Sequence, residues 1–392
     1  MNVPWEARSA VAAHRTHAGR QSDTLAAGHR VADRQAVQTV SVIMPTVSWL
    51  GTFATCGPRV LELIDAASCA VEFIVAYDGT VVDVPEWLER PDVRVVATGG
   101  PFGPSIARNR AVDAARGDVL FFVDADVELA DDAIERVHAS FAADPGLVGL
   151  FGAYDDTPAA EGLVSRFRNL LHHHTHVAHP GRAGTFWAGC GAMRTANFMD
   201  IGGFDDHYEN PSVEDIALGM RVQAEGGRIM LDPLLQCKHH KRWTLASMVS
   251  TDIFSRAVPW THLILQSHRL PDTLNIDWRN RVSGVLSVAA VAAVGAVPFA
   301  PQLAVLGAVG CLAGLLALNL DFYLLCLRQG GPLFAAGSFA LHILYFFYSS
   351  LTFGAVVLHA RLFGRSLPRP QPTVAAAAGG RPAPQAATDP RG

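Results

Sequence analysis

Two carboxylates at the end of one predicted strand are the residues of this chain best placed to do chemistry. The apolar run 121–123 predicts a buried strand, and it is followed directly by Asp124, Ala125 and Asp126. If the strand stays extended to its end, Asp124 and Asp126 lean to the same side, because side chains alternate along a strand. Two carboxylates separated by a small residue can hold a divalent cation against phosphate oxygens. Such a pair is common by chance, so the prediction depends on its surroundings.

The surrounding pattern places these carboxylates at one edge of a sheet. From residue 40 onward predicted strands and helices alternate, which is typical of a mainly parallel sheet covered on its faces. The pattern predicts strands over 40–44, 72–76, 93–97, 121–123 and 228–231, and helices over 59–67, 106–115 and 216–225. Ligands bind outside the carboxyl ends of the strands in open α/β sheets. Asp78 and the pair Asp124 and Asp126 all lie at such ends.

Composition indicates a soluble core followed by membrane helices. Half of the 392 residues are hydrophobic, and the excess lies in three apolar runs over 282–300, 302–327 and 333–358. Each run is near or above the roughly 18 residues that mark a membrane-spanning helix. Soluble buried helices are the alternative, but three in succession would need a large partner core. The six cysteines form no Cys-x-x-Cys pair, so we expect reduced thiols, and a net charge of −5 gives no reason to propose nucleic acid as a partner.

These patterns divide the chain into five segments. We predict a disordered arm over 1–38, a catalytic domain over 39–237, an amphipathic interfacial segment over 238–281, transmembrane helices in two or three spans over 282–360, and a disordered tail over 361–392. The arm lacks the continuous apolar stretch of a secretory signal, so we expect the catalytic domain in the cytoplasm. Aromatic and basic residues interleave over 238–281, which favours a position in the membrane interface. A soluble amphipathic helix packed on the sheet is the alternative.

Several short motifs follow one another in a definite order between residues 40 and 243. They lie at 41–45, 76–79, 107–110 with 114–118, 121–126, 202–205, 214–215 and 239–243. Each is weak alone, but their order and spacing together resemble the family-two glycosyltransferases, and specifically the membrane-anchored members. The resemblance implies an α/β fold: a Rossmann-like GT-A nucleotide-diphospho-sugar transferase domain followed by C-terminal transmembrane helices.

The resemblance also implies roles on the donor side. Asp78 is expected to contact the base or ribose of the nucleotide, and a turn residue before Gly79 is the alternative. Arg108 is expected among the donor-binding residues. Asp124 and Asp126 are expected to bind Mg²⁺ or Mn²⁺ that bridges the diphosphate and offsets the charge that builds on the departing nucleotide.

On the acceptor side, the resemblance assigns the general base to Asp215, the second acid of the pair Glu214 and Asp215. Glu214 is then expected to orient or bind the acceptor. The alternative for this pair is to cap the helix that follows it or to favour its dipole. The loop with Trp187 and Gly189 looks like the family's loop beneath the acceptor, where an aromatic face can meet a sugar, and a plain packing turn is the alternative.

Two further motifs leave more than one interpretation open. Arg242 and Trp243 resemble the end of a Gln-x-x-Arg-Trp motif of processive members, which lies by the acceptor and the diphosphate, but His239 replaces the Gln. These basic residues can also form a juxtamembrane patch for anionic lipid. His172 and His176 are four residues apart and would share a helical face, which suits zinc. Without a Cys or acidic partner nearby in sequence, we favour a polar loop or an acceptor-facing helix there.

The combined prediction is an inverting, metal-dependent glycosyltransferase at the cytoplasmic face of a membrane. It would move a sugar from a nucleotide-diphosphate donor to a lipid-linked or glycan acceptor. Two alternatives remain: a non-catalytic membrane scaffold or glycan-export component with a degenerate transferase domain, and a nucleotidyltransferase on a similar sheet. The second usually needs a Gly-rich basic loop after the first strand, where this chain has residues 45–49 without a basic side chain.

Overall fold

The computed structural model describes residue 37 and residues 39–81, 83–208, 210–267 and 274–364. The predicted tail from residue 365 onward, and the predicted arm apart from Val37, lie outside these residues. The strands are β1 (Thr39–Thr46), β2 (Ala70–Tyr77), β3 (Val93–Ala97), β4 (Val119–Val123), β5 (Val127–Leu129), β6 (Leu147–Tyr154), β7 (Gly181–Arg182), β8 (Cys190–Arg194) and β9 (Arg228–His239).

These strands form one mixed sheet. Its order is β3-β2-β1-β4-β8-β6-β9-β5, and β7 also pairs with β9. The strands from β3 to β4 run parallel, while β8 runs antiparallel to both β4 and β6. Strands such as β4 are buried along their whole length, so both faces of the sheet carry buried apolar side chains. The α/β prediction is confirmed, with an antiparallel strand in the centre of the sheet.

Helices cover the sheet and continue beyond it. They are α1 (Phe53–Ala66), α2 (Pro104–Ala114), α3 (Ala133–Ala143), α4 (Leu163–Val177), α5 (Thr195–Asp200), α6 (Glu214–Ala224), α7 (Leu245–Ser250), α8 (Val258–Ser267), α9 (Trp278–Gly295), α10 (Pro301–Leu318) and α11 (Leu320–Phe363). A π-helical segment, Thr251–Ala257, joins α7 to α8, and 3₁₀ turns lie at Glu86–Leu88 and Leu274–Ile276.

Some predicted boundaries were wrong. The helix predicted over 59–67 begins at Phe53, whose side chain is buried in the core, and it includes Pro58. The strand predicted over 228–231 continues to His239 because it pairs with β6, β5 and β7 along its length. The segment around His172 and His176 is the helix α4, so of the two favoured alternatives, a polar loop and an acceptor-facing helix, the loop is excluded.

The C-terminal part contains two helices that are long and apolar enough to cross a membrane. They are α10 and α11, whose most apolar 18-residue stretches have a mean hydropathy of 1.9 and 1.7. The run predicted over 302–327 is interrupted at Asn319, which caps α11. Gly331 adopts a φ of 74° inside α11, ahead of Pro332, and divides it into two helical parts. The helix reaches Phe363, three residues beyond the limit of 360 predicted for the spans.

Candidate active site

One cleft of about 720 Å³ opens at the carboxyl ends of the parallel strands. Most of the predicted site residues line it: Asp78, Arg108, Asp124, Asp126, Trp187, Glu214, Asp215 and Trp243. They come from the ends of β2, β4 and β9 and from α2, α6 and the loop before β8. The predicted site residues Gly189 and Arg242, which are both described, do not line this cleft. The structure therefore brings together carboxylates and a guanidinium from positions between 78 and 215 of the chain.

Asp124 and Asp126 lie in a turn and not at the end of an extended strand. β4 ends at Val123, and residues 124–126 lead directly into β5. The turn is held by two backbone bonds, from the Asp124 N–H to the Gly189 carbonyl (3.1 Å) and from the Val127 N–H to the Asp124 carbonyl (2.9 Å). The condition that the strand stays extended through both carboxylates is not met, because the chain turns after Val123 and continues into β5, which pairs with β9.

Arg108 bridges the two acidic parts of the cleft. Its side chain is buried on α2, with one guanidinium nitrogen 2.6 Å from Asp124 Oδ1 and another 3.2 Å from Glu214 Oε1. Burial raises the pKa of Asp124, although the Arg108 guanidinium acts in the opposite direction. Removing Arg108 would leave the buried Glu214 and the partly buried Asp124 without their common cation. Its direct role, as seen here, is to hold the acids of the cleft in place.

His239 faces Asp126 from the end of β9. Its Nε2 lies 3.5 Å from Asp126 Oδ2, and its ring stacks on Tyr154 with the centroids 4.4 Å apart and 9° between the planes. Burial opposes ionisation of Asp126, but the neighbouring side chains of His239 and Lys241 lower the pKa of this carboxyl. The sequence analysis treated His239 only as a departure from a Gln. Its position could be found only once β9 was known to reach residue 239.

Asp215 lies in the first turn of α6 and faces the same cleft. Its Oδ2 accepts a hydrogen bond from the Ala188 N–H (3.2 Å), and its Oδ1 accepts one from the Ile216 N–H (2.7 Å). Burial, with a further contribution from the negative charge of Glu214, raises the pKa of Asp215 to about 7. At neutral pH this carboxyl can therefore both accept and release a proton.

Asp78 is engaged by the loop that follows β3. Its Oδ1 accepts from the Thr98 hydroxyl and the Phe102 N–H (both 2.9 Å), and its Oδ2 accepts from the Gly103 N–H (2.8 Å). The carboxylate thus shapes the lip of the cleft at the start of α2. Contact with the donor nucleotide stays a prediction.

Trp187 and Gly189 form one packed unit. The Trp187 ring makes an edge contact with Tyr154, with the centroids 5.0 Å apart, and lies 4.6 Å from the ring of His172. A Cβ at position 189 would come within 2.6 Å of the Trp187 indole, so glycine is required there. Gly189 therefore supports the aromatic residue instead of lining the cleft itself.

The histidine pair of α4 is part of the same aromatic floor. The rings of His172 and His176 lie 4.0 Å apart, and His176 Nδ1 is 2.8 Å from the Gly152 carbonyl. Burial lowers the pKa of both rings, that of His176 to about 4. Within the described residues, no group of three His, Cys, Asp or Glu side chains could hold a metal ion. The pair thus packs as neutral aromatic rings beside the predicted acceptor loop.

The motif at 239–243 divides between the cleft and the surface. Trp243 is buried and lines the cleft, whereas Arg242 is exposed. Lys241 lines the cleft instead, with its Nζ 4.5 Å from the centroid of Trp243. The prediction that Arg242 approaches the diphosphate has no support from this arrangement, and Lys241 is the basic side chain of the motif that reaches the cleft.

Residues 41–202 match the model of glycosyl transferase family 2. This segment, which is less than half of the chain, is therefore similar to a family 2 glycosyltransferase domain. The mixed sheet described above is typical of the Rossmann-like GT-A fold, so the predicted resemblance to family 2 glycosyltransferases and the predicted fold class are confirmed, while membrane anchoring is only weakly supported by the two apolar helices. The match ends at residue 202, so the family model does not cover Glu214, Asp215 or the motif at 239–243.

Individual relatives are more distant. The uncharacterised protein y4gI of Sinorhizobium fredii is 29% identical over 225 residues, which are 52% of this chain. The chain spans about a quarter of that relative's length, 24%. Among solved structures, the mannosyltransferase PcManGT of Pyrobaculum calidifontis, in complex with GDP-Man and Mn²⁺, is 17% identical over 85% of this chain and 89% of its own, with a TM-score of 0.47. TarS 1–349 of S. aureus is 16% identical over 84% and 92%, with a TM-score of 0.42.

Proposed function

We propose that the family 2 domain is an inverting glycosyltransferase that moves a sugar from a nucleotide-diphosphate donor to a lipid-linked or glycan acceptor. The observation that carries this proposal is a single cleft that holds a carboxyl group with a pKa near neutrality, Asp215, together with the ionisable pair Asp124 and Asp126. In many active sites, neighbouring titratable groups have different pKa values because their environments differ. One group then transfers a proton while another stays ionised.

Asp215 would act as the general base. It would take the proton of an acceptor hydroxyl while that oxygen attacks the anomeric carbon of the donor sugar, and the bond to the nucleoside diphosphate breaks on the opposite side. One base and one displacement invert the configuration at that carbon. The pKa of about 7 suits this role, because a base is most effective when its pKa lies near the working pH.

The residues around Asp126 suit a divalent cation such as Mg²⁺ or Mn²⁺. Asp126 is an ionised carboxylate at the cleft, and Asp124 lines the same cleft. Mg²⁺ is usually held by one or two protein carboxylates together with substrate phosphates, which agrees with a cleft that offers few protein ligands. A bound cation would neutralise the charge that develops on the departing diphosphate.

The two apolar helices favour a site at the surface of a membrane. Apolar side chains on them are largely exposed in the folded chain, among them Leu303 at 75% and Leu333 at 88%. Apolar surface on this scale is costly in water and is normally covered by a partner or by lipid. We therefore propose that α10 and α11 anchor the chain in the cytoplasmic membrane, with the catalytic domain in the cytoplasm and a lipid-linked acceptor within reach.

The experiment incubates the detergent-purified chain with a panel of nucleotide sugars and a membrane lipid extract, with and without Mn²⁺. Free nucleotide and labelled lipid are measured. Metal-dependent transfer from one donor to the lipid fraction, absent in Asp215→Asn, is the expected result. If the folded protein binds no donor in the panel, the proposal fails and a non-catalytic membrane component takes its place.

A further inference from the structure

The π-helical segment Thr251–Ala257 and the first turn of α8 form one wall of the cleft. Thr251, Ser255, Arg256 and Trp260 from this wall line the cleft. No motif of the sequence analysis includes them. Single π-helical turns are rare and occur frequently at functional sites.

This wall lies beside the proposed base. The Ser212 hydroxyl donates to the Ser255 carbonyl (3.0 Å), and the Ser212 N–H donates to Glu214 Oε2 (2.8 Å). Trp260 packs in one apolar cluster with Val213, the residue that precedes α6. The wall is thus joined to the segment that presents Glu214 and Asp215. Since a general base has to reach the acceptor hydroxyl, this is the acceptor side of the cleft.

A buried aspartate fixes the wall to two other helices. The Asp252 side chain is only 3% exposed. Its Oδ1 lies 2.6 Å from a guanidinium nitrogen of Arg168 on α4, and its Oδ2 accepts from the Tyr348 hydroxyl of α11 at 2.6 Å. Both carboxylate oxygens therefore have a close partner, as a buried charge requires.

Arg256 adds a second cation to this one carboxylate. Its Nη1 lies 3.4 Å from the Asp252 oxygen that Arg168 already contacts more closely, and its side chain is 43% exposed. Two guanidinium groups on one carboxylate leave a net charge of +1 at the wall. In the described part of the chain, the Trp260 indole nitrogen is also buried without an acceptor, and an indole can only donate. The wall therefore has more donors and positive charge than it can pair internally.

We propose that Arg256 binds an anionic group of the acceptor, a phosphate carried on the lipid or glycan that receives the sugar. This inference rests on the proposed function and names the substrate class of that site. Arginine suits phosphate because its planar guanidinium donates two parallel hydrogen bonds. Asp252 acts as a positioning residue: it is held by Arg168 and Tyr348, and it directs Arg256 toward the cleft.

The binding test uses farnesyl phosphate, farnesol and inorganic phosphate as probes, with the full chain in detergent and tryptophan fluorescence as the readout. We expect farnesyl phosphate to bind at least about 10-fold more tightly than farnesol, since a hydrogen bond to a charged group is worth roughly this factor. Arg256→Gln is expected to remove the difference, and Arg256→Lys to retain part of it. Arg228→Gln is the matched control, because Arg228 is 38% exposed and pairs with Asp144 outside the cleft.

Three outcomes would overturn the inference. The first is that farnesyl phosphate binds no better than farnesol. The second is that inorganic phosphate binds as tightly as farnesyl phosphate. The third is that Arg256→Gln weakens donor binding instead of probe binding. None of these results bears on the assignment of Asp215 as the base, because donor binding and the loss of transfer in Asp215→Asn are measured separately.

The positioning role has its own test in Tyr348→Phe, which removes one hydroxyl and keeps the ring. We expect the KM for a phosphate-bearing acceptor to rise about 5- to 10-fold, with donor affinity unchanged, because Asp252 loses one charge-assisted bond and Arg256 loses its fixed direction. An equal fall in donor and acceptor affinity would indicate a purely structural role and contradict the assignment.

Discussion

Replacing the proposed base, Asp215→Asn, should change how the stability of the folded chain depends on pH. An aspartate has an ordinary pKa of 3.8, and in this cleft it is raised to about 7. Because the folded state holds the proton more tightly than the unfolded state, stability is greatest below the ordinary pKa. The contribution of this proton to the free energy of unfolding falls as pH rises from about 4 to 7. Above about pH 7 the free energy of unfolding no longer changes through this group. Asparagine does not titrate, so the variant escapes this loss.

The size of the effect follows from the shift. About 3 pKa units at about 1.4 kcal/mol each give an upper value of about 4 kcal/mol. Asp215 is only partly buried, so we expect about 2 to 3 kcal/mol of this value to appear between pH 5 and pH 8. The variant should therefore gain this much stability relative to the parent chain over that range.

The assay is urea unfolding in detergent at pH 5, 6, 7 and 8, followed by tryptophan fluorescence, with the free energies of unfolding of variant and parent compared at each pH. Asp131→Asn serves as the control, since the Asp131 side chain is 98% exposed, and its difference from the parent should stay flat. If the Asp215→Asn difference is equally flat, Asp215 is already ionised at pH 5, and the reasoning that makes it a base with a pKa near neutrality is refuted.

Three other predictions concern the same cleft. In the parent enzyme, kcat/KM should rise with pH through about 7 as Asp215 loses its proton, and a profile that is level from pH 5 to 8 would argue against this base. Asp126→Ala should remove the effect of Mn²⁺ on donor binding, measured by calorimetry; a metal effect of parental size in the variant would exclude Asp126 as a ligand. Gly189→Ala should destabilise the fold by about 1–3 kcal/mol, because the added methyl group meets Trp187, and should reduce transfer. Gly310→Ala is the control and should do neither, since there is open space around Gly310. Equal melting temperatures for the two variants would contradict this packing.

The sequence predicted the parallel half of the sheet well because each of its strands is a short, mostly apolar run. β3 was predicted with the bounds it has, and β1 and β2 differ only at their ends. Local patterns were sufficient there because pairing extends strands that the residues already favour. β9 shows the limit of such patterns: its residues from Asp232 onward are mixed in character, and only pairing with β5 and β6 makes them a strand.

The candidate site shows the same division. Asp124, Asp126 and Asp215 could be selected from their motifs, and the structure brings them into one cleft. What the sequence could not give is the partner of each group. The contact of His239 with Asp126, and the network of Asp252, depend on tertiary packing between segments far apart in the chain. No spacing rule relates such pairs.

The packing of α4 has a practical consequence for anyone who wishes to study the transferase without its apolar helices. Phe167 and Leu170 of α4 share one buried cluster with Trp243 and with Phe322 and Phe346 of α11. A version of the protein cut before α9 would expose that cluster to water and leave Asp252 without Tyr348. Such a shortened protein would be prone to aggregate, and its weakened cleft would not represent the cleft of the full chain. The catalytic half and the helical half are therefore best purified as one piece.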